Sequence, residues 1–114
     1  MYNINLNNKI DIDEIKKLAI EGFGDMVKAV VDIKKMEMSI GGELHSDEES
    51  GLIEQGSLQE NLWGINIYPE KPFPESIEFD SMINIRPRQN NRSRDVENSE
   101  LRQRIIETVQ LLIK

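Results

Sequence analysis

MVKAVVDIKKMEMSI, residues 26–40, decides the fold. Val27, Ala29, Val31 and Ile33 alternate with Lys28, Val30, Asp32 and Lys34, and Met36, Met38 and Ile40 alternate with Glu37 and Ser39. A period of two is the pattern of a strand with one buried face, so the stretch predicts a β-hairpin. A single helix over 25–38 is the competing reading, because Lys and Met are good helix formers. The β-branched residues at 27–33 favour the strands. Lys34-Lys35 is a poor two-residue turn, since neither residue favours positive φ.

Upstream, Asp11 and Glu14 have the spacing of a capping box, and Ile10 and Ile15 that of a hydrophobic staple. Ile12, Ile15, Leu18 and Ala19 follow at helical spacing, which predicts a helix at about 12–21. Gly22 is the expected left-handed stop, with Phe23 closing the end against Leu18. Residues 1–9 are either a flexible segment or an edge strand.

Downstream, Gly41-Gly42 ends the second strand. Ser46 and Glu49 repeat the capping-box spacing and predict a short, mostly exposed helix at about 47–55, weakened by Gly51 and stopped by Gly56. A second hairpin is expected next. Trp63, Ile65 and Ile67 fall on one face of a strand at 61–68, with Asn66 and Tyr68 on the other. After the loop PEKPFPES (69–76), a strand at 77–86 puts Ile77, Phe79, Ile83 and Ile85 on one face and Glu78, Asp80, Asn84 and Arg86 on the other. Pro87 ends pairing because it has no N–H to donate. Leu101, Ile105, Val109 and Leu112 mark the buried stripe of a last helix beginning at Asn98 or Ser99. The order αββαββα predicts one α+β domain over 1–114, a four-stranded antiparallel sheet from two hairpins with helices packed on one face. Strand order is left open.

At 114 residues the chain builds one domain with one real core. It has no cysteine, which excludes disulfides, thiolate zinc sites and cysteine nucleophiles. There is no apolar run of the ~18–20 residues a membrane span needs. The start MYNINLNNKIDID lacks the basic and apolar regions of a signal peptide, so a cytoplasmic location is expected. Charge is unevenly spread. Residues 1–85 hold 7 lysines against 17 acidic residues, a balance of −10, and residues 86–114 hold 7 basic against 4 acidic residues, +3, which together give the net −7. That total argues against nucleic-acid binding, which rests on many cations facing phosphates. It leaves room for a local cationic patch.

The runs IGGELHSDEE (40–49), LWGINIYP (62–69) and IEFDSMINIRPRQNNRS (77–93) resemble a family of small bacterial and archaeal proteins known as a domain of unknown function. The resemblance covers roughly residues 25–110. It implies a prokaryotic origin and brings no activity, cofactor or site residue.

Three groups of residues are candidates for chemistry. His45, the only histidine, follows Glu43 just ahead of a helix start. With Glu43 or Asp80 orienting it, His45 is a general-base candidate for a hydrolase or nuclease-like enzyme, in which loop arginines neutralise transition-state charge. One histidine does not make a zinc site, and no metal or cofactor is predicted. The polar stripe Glu78, Asp80, Asn84 and Arg86, facing Asn66 and Tyr68, is either the solvated face of the sheet or the floor of a pocket. The loop 86–94, RPRQNNRSR, is the stronger candidate. Asn84, Arg86, Arg88, Asn91 and Arg92 are the expected ligand-binding residues, because guanidinium forks pair with phosphate or carboxylate. The bland reading of that loop is a latch of salt bridges. The absence of GxGxxG, GxxxxGK[ST] and GxSxG removes the common nucleotide and serine-hydrolase motifs. The leading expectation is a binding or assembly module, a homodimer, whose arginine loop forms either the subunit contact or a site for a small anion.

Overall fold

The computed structural model describes all 114 residues. Five strands make one antiparallel sheet in the order β1-β3-β2-β4-β5: β1 (Tyr2–Ile4), β2 (Val27–Asp32), β3 (Glu37–Gly42), β4 (Leu62–Ile67) and β5 (Ile77–Glu78). Three helices accompany them: α1 (Ile12–Glu21), α2 (His45–Glu54) and α3 (Ser99–Leu112). Of the two readings of residues 1–9, the edge strand is the observed one; β1 pairs with β3 through Ile4 and Met38. The fold is α+β as expected, with five strands where four were predicted.

The predicted hairpin forms, and Asp32 explains how a Lys-Lys pair can turn it. Its buried carboxylate accepts the N–H groups of Lys34 and Lys35, both at 2.9 Å. Its second oxygen accepts the Ser57 hydroxyl at 2.6 Å. Met36 takes the left-handed conformation, φ 57°, so neither lysine has to. α1 starts at its predicted cap, with Asp11 Oδ1 accepting the Glu14 N–H at 3.0 Å. Its end differs: Gly22 has φ −103°, and Gly24, at φ 104°, supplies the positive φ, its N–H reaching the Ala19 carbonyl. Phe23 is exposed instead of closing the helix.

The helices cover both faces of the sheet, which corrects the one-sided arrangement expected. On one face Ile15 and Ala19 of α1 and Ile105, Val109 and Leu112 of α3 join Ala29, Val31, Met38, Ile40, Trp63, Ile65 and Ile67 in the main core. On the other, Leu52 of α2 packs with Val30 and Leu62, and Ile83 closes the cluster. Val30 and Leu62 stand at positions that alternation assigns to the polar side. An apolar residue there needs a cover, and α2 supplies it.

The strand predicted at 77–86 is the main correction. Pairing stops after Glu78, and 3-10 turns follow at Met82–Asn84 and Pro87–Gln89. Ile77 and Ile83 belong to cores on opposite faces of the sheet, so they cannot share one face of a single strand. Ser81 starts the first turn by accepting the Ile83 N–H.

Candidate functional site

Where β5 leaves the sheet, β4 would carry an open edge at residues 62–64. Side chains of the following segment close it. Asn84, wholly buried, accepts the Gly64 N–H and donates to the Gly64 carbonyl, both at 2.9 Å. Arg86 donates to the Leu62 carbonyl through Nη2. It also donates to Ile83 O (3.0 Å), Gln59 O (2.8 Å), Gln89 Oε1 (3.2 Å) and Glu49 Oε2 (3.4 Å). These acceptors take all five N–H groups of the guanidinium. Its side chain is only 10% exposed, and the guanidinium lies 4.6 Å from the centre of the Trp63 ring. Burial lowers the Arg86 pKa and Glu49 opposes that shift. No donor of Arg86 is left for a ligand.

Asn91 is spent in the same way. Buried, it donates through Nδ2 to Asn84 O (2.7 Å) and Asp95 O (2.6 Å), and its Oδ1 accepts the Glu97 N–H at 2.9 Å. Arg86 and Asn91 exchange both backbone bonds, pinching the loop at its base. Asn90 turns it in the left-handed conformation, φ 59°. Two arginines become latches: Arg94 pairs with Asp80 and Arg102 with Asp95, each at 2.6 Å. Arg88 and Arg92 are exposed, and their side chains make no hydrogen bond or ion pair. Met82 and Ile85, on the adjoining turn, are also exposed. Of the five predicted ligand-binding residues, three hold the loop and two project from it. α3 follows, capped by Asn98, whose Oδ1 accepts the Leu101 N–H at 2.9 Å.

His45 is buried at the start of α2, whose N-cap is Leu44, two residues before the predicted cap at Ser46. Its Nε2 carries the proton, donating to the Ile65 carbonyl at 2.8 Å. Burial lowers its pKa; the Ile65 bond opposes this, and Lys28, Asp80 and Arg94 are near enough to act on its charge. The His45 ring makes no hydrogen bond to Asp80 or Glu43, and Glu43 is exposed. No three histidine and acidic side chains gather in a metal-holding cluster. Asn66 bridges the stripe, donating to Glu78 Oε1 at 2.8 Å, and the Tyr68 hydroxyl reaches the same oxygen at 3.3 Å.

Glu48 is the residue that sequence reasoning missed. It is wholly buried and accepts the Gly42 N–H at 3.1 Å through Oε2, while Oε1 has no partner. Burial pushes its carboxyl up to about 8, so it is mostly protonated at neutral pH. The signal was present: His45, Glu48 and Leu52 are spaced i, i+3, i+7 and share the face of α2 that meets the sheet.

No helix is long and apolar enough to cross a membrane. Neither the curated proteins nor the solved structures contain a match to this chain. The family model "Protein of unknown function (DUF5674)" matches residues 4–112, and the chain belongs to that family.

Proposed function

We propose that the chain is an assembly module, and that its arginine loop makes the contact between copies by docking Arg88 and Arg92 against acidic surface. One observation carries this reading: a loop pinned from inside by Asn84, Arg86 and Asn91 leaves those two guanidiniums exposed and unpaired. A cation held on a rigid loop loses little conformational freedom on binding. Exposed Met82 and Ile85 beside it supply apolar area, and Met and Arg are enriched in protein interfaces. The acidic partner is at hand in the chain itself, whose first 85 residues balance to −10.

Light scattering at 50 and 500 mM salt tests the reading. The mass should exceed 13.2 kDa at low salt and fall toward it at high salt, because screening weakens exposed charge contacts. Arg88→Ala/Arg92→Ala should lower the mass at 50 mM salt with its circular dichroism unchanged. A chain that stays at 13.2 kDa in both buffers is no assembly module, and the loop would then be screened against phosphates.

A further inference from the structure

We infer that the arginine loop of one copy seats in a groove of the next, between the end of α1 and the start of α2, so that copies join head to tail. This rests on the assembly reading above and names the receiving surface. The groove has a volume of about 380 Å3 and a floor at Gly41 and Gly42. Leu18, Phe23 and Leu44 give it apolar walls, and the latter two are about half exposed. Glu21 and Glu43 stand exposed along it. Gly41 has φ 88°, a backbone conformation that favours glycine, so the groove carries no side chain there. Lys28 is the one cation lining the groove, and it lies over the Phe23 ring at 5.4 Å, leaving two carboxylates facing outward.

The loop offers the complement: two unpaired guanidiniums, with exposed Met82 and Ile85 on the turn that precedes them in the chain. Opposite charge around an apolar centre sets orientation as well as encounter rate. The loop cannot fill its own groove. Arg86 anchors it at Leu62, which pairs with Asp32 at the far end of β2, while the groove opens at Val27 and Lys28. Five residues of strand separate these points, roughly 17 Å. A contact between two different patches on each copy is heterologous and grows into a ring or an open chain rather than a closed two-fold dimer.

Mixing two variants tests this. Arg88→Ala/Arg92→Ala removes the loop's charge and leaves the groove, whereas Glu21→Lys/Glu43→Lys reverses the groove and leaves the loop. All four residues are exposed, and circular dichroism checks that both variants fold. Each alone should run at 13.2 kDa, and a 1:1 mixture should give a species of twice that mass and none larger, because one working half remains on each. If Glu21→Lys/Glu43→Lys assembles like the unaltered chain, the groove assignment is overturned while the loop reading stands. If the variants fail singly and the mixture also stays at 13.2 kDa, the head-to-tail arrangement is overturned. If Arg88→Ala/Arg92→Ala still assembles, both readings fall.

Discussion

The side-chain amide of Asn84 pairs with both main-chain polar groups of Gly64, taking the N–H on Oδ1 and giving Nδ2 to the carbonyl at 2.9 Å each. A side chain thus stands where a fifth strand would continue, and it masks the edge of β4 against pairing with another chain. Gly64 is needed for this approach, since a Cβ there would lie 2.6 Å from Ser81 Cβ and Oγ. Asn84→Ala should cost about 3 kcal/mol, because it strands a buried donor and acceptor. Gly64→Ala should cost about 1–3 kcal/mol by overpacking, with part regained in Gly64→Ala/Ser81→Gly. Urea unfolding followed by the fluorescence of Trp63, the only tryptophan, measures both. An Asn84→Ala midpoint equal to that of the unaltered chain would show that the pairing is dispensable.

Arginines six residues apart or fewer should behave in opposite ways. Arg86→Ala leaves five acceptors without their donor, including the carbonyls of Leu62, Gln59 and Ile83, and should cost about 3 kcal/mol. Arg86→Lys should recover only part of this, since one ammonium with three donors cannot reproduce the fork. Arg88→Ala and Arg92→Ala should stay within about 0.5 kcal/mol. The same unfolding curves decide it, and equal losses at all three positions would contradict the division between latch and display.

That division marks how far the residues could be read in advance. α1 and the first hairpin were legible because their signals are local: Asp11 with Glu14, and an unbroken alternation from Val27 to Ile33. The strand that spacing predicts at 77–86 does not form, because Ile77 and Ile83 have strand spacing by coincidence and serve opposite faces of the sheet. What replaces that strand is side-chain pairing between Asn84 and Gly64 or Arg86 and Leu62, residues 20 and 24 apart, which leaves no periodic trace. The second core was visible only as Val30 and Leu62 at nominally polar positions. Clustering exposed the arginine loop as a site, yet which arginines are spent depends on acceptors from Glu49, Gln59 and Leu62, all distant in sequence.

His45 should titrate below its ordinary 6.5, because burial disfavours the imidazolium more than the Ile65 carbonyl stabilises it. As the only histidine, it gives one unambiguous ring C–H signal to follow by proton NMR. The sign for stability follows. With the folded pKa below the unfolded one, the unfolded chain takes up the proton first, so this contribution is present above pH 6.5 and is lost as pH falls below it. A measured midpoint at or above 6.5 would mean the ring is solvated or paired with Asp80 more closely than its contacts indicate.

Glu48 should act on stability in the opposite direction. Its folded pKa, about 8, lies above the ordinary 4.5, so between those values the folded chain keeps a proton that the unfolded chain has released. Folding then takes up a proton, and stability falls as pH rises through that window, levelling off above about 8. Below 4.5 both states are protonated and the group contributes nothing. Glu48→Gln keeps an oxygen for the Gly42 N–H and removes the charge, so it should be more stable than the unaltered chain at pH 8.5 by a few kcal/mol and nearly equal to it near pH 4.5. Taking the difference between the two chains at each pH cancels the repulsion of the −7 net charge and the titration of His45, which both share. A difference that stays constant from pH 5 to 8.5 would show that Glu48 is ionised in the fold, with its second oxygen reaching a cation or water after all.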